Sequence, residues 1–412
     1  MKPVYRRSCG IDVHKATLTA CLRVHGPGGK FSQETRSFGT TSDELLSLHD
    51  WLSAQRVSHI AMEATGVYWK PVFYVLEQGF TLLLVNPADV KRMPGRKTDV
   101  SDSAWLAQLL ENGLLRPSFI PPRAIRELRD LVRYRSELKH DHTRVANRLH
   151  KVLQDADLKL SSVMTDILGV SGRQILRRLA GGHSDPAALA ELARARLRTK
   201  LPELRQALAG RFSQHHAFLI SQALTELDHL EESMSALAAR IKEHLLPFAH
   251  LIEQLSTIPG VKRLAATAIL AEIGADMSCF PDTAHLASWA GMAPGNHESA
   301  GKRRRTRARH GNRWLRTMLV ECGQAAGHSR NTALAAIYRR MIIRGGRKHA
   351  AFVVGRHILN IAYHLLSEHT TYRELGPSYF EQRRTEQLKR RCLDQLRNLG
   401  FQATLTPLPK AA

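Results

Sequence analysis

Apolar positions set the first hundred residues into short alternating segments. CGIDVHKATLTACLRV is dominated by apolar and β-branched residues and predicts two strands, with His14 and Lys15 near the turn. A third strand is expected near KFSQETRSF, after a PGG turn. TSDELLSLHDWLSAQ switches to a helical period, with Thr41 or Ser42 as cap and Leu45, Leu46, Leu48 and Leu52 on its buried side. VSHIAME reads as a short strand ending at Glu63, and YWKPVFYVLEQG as a helix closed by Gly79. TLLLVN is a continuous apolar run, as expected of a strand buried on both faces. KTDVSDSAWLAQLL then opens a helix that Thr98 or Asp99 can cap, with Trp105, Leu106, Leu109 and Leu110 as its apolar face.

From Pro121 to about Leu160 the period is helical and the surface charged. Leu128, Leu131, Val132, Leu138, Val145 and Leu149 mark an apolar stripe. Arg126, Arg129, Arg133, Arg135, Arg144 and Arg148 occupy the other faces, where they suit ordinary helical ion pairs or a phosphate backbone. Shorter helices follow, broken at GVSG and AGGHSDP. Ile220, Leu224, Leu227, Met234, Leu237 and Ile241 then approximate a heptad seam, which predicts a coiled coil and favours self-association over packing within the chain. IPGV before an Ala-rich helix resembles a helix-hairpin-helix turn, in which glycine lets the backbone approach a phosphate.

Charge narrows the function. The 412 residues carry 60 Lys and Arg against 37 Asp and Glu, a formal charge of +23. Such an excess repels itself unless a polyanion neutralises it, so nucleic acid is the first candidate partner. Hydrophobic residues make up 43% of the chain, enough for two or three domains with real cores. No run is apolar enough to span a membrane and the N-terminus lacks a signal peptide's apolar stretch, so a cytoplasmic protein is expected. Five scattered cysteines without a CxxC pair argue against a zinc site and a disulfide framework.

The order of three strands, helix, strand, helix, strand, helix resembles the RNase H and RuvC-like nuclease fold. That resemblance places acids at Asp12, Glu63, Asp99 and Asp102. Asp12 lies in an otherwise apolar strand, where a charge is expensive unless paired or bound to metal. Asp99 and Asp102 are three apart in sequence and can share a helix face, where like charges repel unless a cation sits between them. Four carboxylates suit two divalent ions about 4 Å apart, and hard oxygen ligands favour Mg²⁺ or Mn²⁺. Toward the C-terminus, eight Lys and Arg and no acid stand between Lys302 and Arg316. Ser299, in HESAGKRRR, borders that cluster; it is either a turn residue or a hydroxyl nucleophile whose arginine neighbours would stabilise a phosphodiester under attack.

Taken together, GIDVHK, AMEATGVYW, VNPADVKRMPGRKTDVSDSAWLAQLL, the segment around 258 to 274 and WAGMAPGNHESAGKRRRTRARHGNRWLR resemble the DEDD insertion-sequence transposases. These are site-specific DNA recombinases that include the pilin-gene invertases. The resemblance implies a RuvC-like α/β catalytic domain over 1–155, then a largely α-helical, coiled-coil connector over 156–250. An α-helical C-terminal transposase domain over 251–375 and a basic helical tail over 376–412 complete it. It further implies metal ligands at Asp12, Glu63, Asp99 and Asp102, and Ser299 as the nucleophile that forms a covalent phosphoserine. Lys302, Arg303, Arg304, Arg305, Arg307, Arg309, Asn312 and Arg313 become nucleic-acid contacts. The implied partners are DNA, a structured guide (bridge) RNA and further copies of the chain as a dimer or tetramer. The family's Ser-Ser-Gly-Gly-Lys is Glu298-Ser299-Ala300-Gly301-Lys302 here, so the serine stands while its loop differs. A metal-dependent hydrolytic nuclease or junction resolvase, and a nucleic-acid-binding protein without activity, are the rival readings.

Overall fold

A computed structural model of the chain describes residues 3–26, 30–95, 101–293, 298–299, 302–303, 308 and 310–404. The chain divides into two compact units, Met1–Ile120 and Pro121–Ala412. The first is α/β, as expected. Its elements are β1 (Arg7–Val13), β2 (Thr17–His25), β3 (Phe31–Gly39), α1 (Ser42–Ala54), β4 (His59–Glu63), α2 (Trp69–Leu76), β5 (Thr81–Val85), α3 (Pro87–Lys91) and α4 (Asp102–Glu111). The sheet order is β3-β2-β1-β4-β5, antiparallel from β3 to β1 and parallel from β1 to β5.

Two layers cover this sheet because its strands alternate. Cys9, Ile11 and Val13 of β1 face Leu45, Leu48 and Leu52 of α1 and Val72, Phe73 and Leu76 of α2. Trp51 completes the buried face of α1, while Leu46, expected on that face, is 53% exposed. The helical period, not apolarity, decides which leucine goes inside. Leu82 and Leu84 of β5 join this layer, whereas Leu83 and Val85 pack with Val90, Trp105, Leu106 and Leu109 on the opposite side. The continuous apolar run of β5 therefore is a strand buried on both faces.

On that opposite face α4 lies directly against the strands. A Cβ added to Gly10 would come 2.2 Å from the Ser103 carbonyl oxygen and 2.4 Å from the Ala107 nitrogen. Beside it, Cys21 of β2 packs on Ala104 and Ala107. The helix starts later than its sequence suggests. Ser101 is its cap, in extended conformation, with its hydroxyl accepting from the Ala104 N–H at 3.4 Å. Asp102 is the first helical residue, and Asp99, expected to share a helix face with it, lies outside the described residues.

The second unit is helical. It comprises α5 (Arg123–Asp155), α6 (Leu160–Val163), α7 (Val170–Ala180), α8 (Pro186–Ala190), α9 (Leu201–Leu208), α10 (Gln214–His244), α11 (Ala249–Ser256), α12 (Arg263–Ile273), α13 (Thr283–Trp289), a short hairpin of β6 (Glu298–Ser299) and β7 (Lys302–Arg303), α14 (Arg313–Gly327), α15 (Ala333–Glu368) and α16 (Tyr379–Asn398). The long α5 belongs to this unit, and residue 155 is its end.

The heptad seam of α10 is used inside the chain. Ile220, Leu224 and Leu227 are buried with Leu138, Val145, Leu149 and Leu153 of α5 and with Ile175 and Leu179 of α7. Polar pairs fix an antiparallel register between α5 and α10: His142 with Glu231 at 3.0 Å, Arg148 with Glu226 at 3.2 Å and Asp155 with His216 at 3.2 Å. The stripe at Ile220, Leu224 and Leu227 is thus covered from within the chain, because a period-7 stripe looks the same whichever helix covers it. Gly260 of the IPGV turn also has a different task. It takes φ 85°, and an added Cβ would lie 2.6 Å from both the Ala326 nitrogen and the Cys322 carbonyl oxygen of α14. The glycine admits the close approach of α14. No helix among the described residues is long and apolar enough to cross a membrane.

A buried carboxylate ties this unit together. Glu272 of α12 is 2% exposed. It accepts two hydrogen bonds from Arg133 of α5, both at 2.7 Å, and one from the Asn312 side-chain amide at 2.5 Å. Arg129 donates to the carbonyls of Ala271 and Glu272 at 3.0 and 2.7 Å, which satisfies the C-terminal turn of α12. Burial lowers the Arg129 guanidinium to about 10, with Glu272 pulling it back up, so it stays charged at neutral pH.

Two stability measurements follow from these contacts. Gly10→Ala is expected to destabilise the first unit by about 1–3 kcal/mol in chemical denaturation, because a backbone clash forces α4 off the sheet. Glu272→Ala is expected to cost about 3–5 kcal/mol, since it strands two arginines without their counter-charge. A denaturation midpoint unmoved from wild type in either variant would disprove the corresponding contact.

Candidate active site and nucleic-acid surface

Asp12 is the sixth residue of β1 and Glu63 the last of β4. The parallel register runs to Ile11↔Met62, so Asp12 and Glu63 are the next pair along these strands. Side chains alternate along a strand, so Asp12 shares the face of Gly10, against which α4 packs. The direction of α4 follows from its far end. Glu111 binds Arg23 through two hydrogen bonds of 2.8 and 2.9 Å, and its carbonyl accepts from the Val4 and Tyr5 N–H groups at 2.7 and 3.2 Å. The C-terminus of α4 is thus at the start of β1, and its N-terminus, with Asp102, at the strand ends that carry Asp12 and Glu63. Three sequence-predicted acids therefore share one end of the sheet, and the fourth, Asp99, lies outside the described residues.

The Asp12 side chain is 27% exposed and 3.3 Å from His14 Nε2. Asp12 and Glu63 are part-buried and Asp102 exposed, so solvent reaches this end of the sheet. Among the described residues no three His, Cys, Asp or Glu side chains stand close enough together to hold one ion. The donor chemistry nevertheless fits a hard divalent cation: carboxylate oxygens brought to an accessible edge by three separate elements, with no thiol among them.

Ser299 stands in the β6–β7 hairpin, where it pairs with Lys302, and Glu298 pairs with Arg303. The hairpin therefore sets the serine's backbone directly beside the start of the basic run. Arg304, Arg305, Arg307 and Arg309 lie outside the described residues. The segment containing the hairpin is closed at its neck. An added Cβ on Gly311 would come 2.3 Å from the Gly291 nitrogen, and the Asn312 N–H donates to the Trp289 carbonyl at 3.3 Å.

Asn312, expected to contact nucleic acid, has an intramolecular role. Its side-chain oxygen caps α14 by accepting from the Trp314 and Leu315 N–H groups at 3.1 Å each, while its amide reaches Glu272. Arg313 is exposed, with its guanidinium 4.8 Å from the Trp314 ring centre. It also lines a groove of about 1140 Å³ between α5, α10, α12 and α14, together with Arg135, Lys139, Lys242 and Arg263. Sequence reading missed this groove because its cations come from four helices far apart in the chain. The α5 arginines are now distinguished: Arg129 and Arg133 bind Glu272, Arg148 binds Glu226, and Arg135 faces the groove.

Comparison with known proteins matches both regions. Residues 9–156 fit the profile of a DEDD transposase of the IS110 type, and residues 252–339 that of the transposase IS116/IS110/IS902 family. The chain is 27% identical over 402 residues to the 43.6 kDa protein of insertion element IS110 from Streptomyces coelicolor, covering 90% of this chain and 96% of that protein. It is 23% identical over 376 residues to the pilin gene-inverting protein of Moraxella bovis, covering 88% of this chain and 96% of that protein. The counterpart in Moraxella lacunata is 22% identical over the same length. The acid-bearing sheet falls within the first profile and the serine hairpin within the second, in the family's order, and the chain belongs to the IS110-type insertion-sequence transposases.

Proposed function

We propose that this transposase cleaves and rejoins DNA through Ser299, assisted by divalent metal held at Asp12, Glu63, Asp99 and Asp102. The observation that carries this reading is the convergence of β1, β4 and the N-terminus of α4, which brings acids from three elements to one sheet end. Mg²⁺ or Mn²⁺ bound there, as a pair of ions, supplies electrostatic stabilisation to the reacting phosphate.

In this reading the Ser299 Oγ loses its proton and forms a bond to phosphorus. The bond from phosphorus to the leaving strand's oxygen breaks, and that oxygen takes up a proton. The phosphoserine retains the energy of a phosphodiester, so the hydroxyl of an incoming strand can later displace Ser299 and restore the DNA. Lys302 and Arg303, across the hairpin from the serine, hold the phosphate and offset its charge. Arg304, Arg305, Arg307, Arg309 and Arg313 grip the flanking backbone. The serine and the acids belong to different units of the chain, and the reading requires them to meet on one phosphodiester, within one copy or between copies of a dimer or tetramer. A structured guide RNA selects the sequences by base pairing, which relieves the protein of base reading and suits an excess of backbone-gripping cations.

Two experiments test this. Replacing Asp12, Asp99 or Asp102 by Asn, or Glu63 by Gln, is expected to lower strand exchange in Mg²⁺ at least about a hundredfold without changing the unfolding midpoint. An Asp102→Asn protein with wild-type activity removes that residue from the site. Ser299→Ala is expected to abolish both strand exchange and the protein–DNA adduct seen on a denaturing gel, while DNA binding persists. An adduct in the Ala protein, or recombination by wild type with no adduct at all, overturns the serine mechanism in favour of metal-dependent hydrolysis.

A further inference from the structure

The second half of α14 packs closely on α15 at two points: an added Cβ on Gly327 would meet the Tyr338 ring at 2.4 Å, and one on Gly323 the Ala351 carbonyl oxygen at 2.2 Å. Between these two anchor points α15 leaves its partner. Gly346 breaks the helix with φ 77° and ψ 176°, and residues 343–349, IRGGRKH, are all exposed. At this tip Ile343 is 88% exposed, the highest value among the large exposed apolar side chains described.

The charge around that isoleucine is one-sided. Arg339, Arg340, Arg344, Arg347 and Lys348 surround it in sequence, and no Asp or Glu occurs from Asn331 through Ser367. At the base of the tip the Arg340 Nε is buried and has no hydrogen-bond partner among the described residues. Arg356 and Arg340 both lower the pKa of His357, which is pushed down first by burial, so further positive charge gathers there. Within the chain, an isoleucine held in water among five cations gains nothing from burial. The same arrangement matches a known way of gripping duplex DNA, in which cations take the phosphates and an apolar side chain enters between base pairs.

We propose that the tip of α15 is a second DNA-binding element, with Arg344, Arg347 and Lys348 on duplex phosphates and Ile343 wedged into a base step. It lies outside the stretch matched by the C-terminal transposase profile, which ends at residue 339. The proposal rests on the reading of the chain as a protein that works on DNA, but it does not depend on Ser299 or on the acids. The wedge would bend the duplex, and flexible pyrimidine–purine steps would accept it at least cost.

The test uses the full-length protein and a linear duplex with 2-aminopurine, a base that brightens when unstacked, placed at TA steps. Wild type is expected to raise the fluorescence on binding. Ile343→Ala is expected to lose most of that rise while keeping the salt dependence of affinity. Arg344→Ala/Arg347→Ala/Lys348→Ala is expected to reduce the slope of log affinity against log salt by about 2–3 units, near 0.9 per phosphate released. The corresponding triple lysine or arginine exchange (Arg344→Lys/Arg347→Lys/Lys348→Arg) restores the slope. An unchanged slope in the triple alanine variant overturns the phosphate contacts, and an unchanged fluorescence rise in Ile343→Ala overturns the wedge. A slope that falls only with an RNA duplex overturns the assignment to DNA. Ser299→Ala run in parallel keeps wild-type fluorescence and slope if the tip acts independently, so a failed serine mechanism leaves this result readable.

Discussion

The absence of a side chain at residue 10 is the constraint on which the first unit depends. With any Cβ there, the backbone of α4 could not reach the sheet. Because it does, the backbone of α4 lies directly on β1 at Gly10, and the position of its first residue follows. The Glu111–Arg23 pair then pins the other end, so α4 cannot slide along the sheet. An acid borne by a helix thereby acquires a defined place relative to acids borne by strands. Packing of this closeness serves geometry as much as stability, since carboxylates that repel one another do not hold themselves together.

The positive charge of the chain is divided between two uses. In the helical unit, Arg133 binds Glu272, Arg173 binds Asp228 and Glu231, and Arg148 binds Glu226. These pairs set helix register and neutralise themselves. The basic run from Lys302 to Arg316 and the α15 tip follow another rule: no acid occurs within either stretch. Total charge does not separate the two uses. The spacing of acids relative to cations does, once the fold shows which helices meet.

Much of the first unit was legible in the sequence because each strand and helix there carries its own period. The five strands, their order along the chain and the double-sided burial of β5 needed no long-range information. What could not be read depended on a partner element. Leu46 was misassigned because one leucine in a leucine-rich helix looks like another until the sheet chooses a face. The α10 seam could have been covered by a second copy, and only the α5 register shows that Ile220, Leu224 and Leu227 are covered within the chain. Gly260 and Asn312 sit in motifs that suit nucleic acid equally well, yet their neighbours turn out to be α14 and Glu272. The start of α4 moved to Asp102 because a serine with extended backbone competes with Thr98 and Asp99 as cap.

The neck at Gly291 and Gly311 brings two points twenty residues apart in sequence into close backbone approach. Below it, helices are locked by backbone contacts that tolerate no added atom. The stretch between Gly291 and Gly311 in sequence carries Ser299 and most of the basic cluster. Closing such an excursion costs free energy that grows only with the logarithm of its length, about 0.6 kcal/mol for each doubling. A change in the length of this stretch therefore costs little in closure entropy, and the helices that flank it can fold as before.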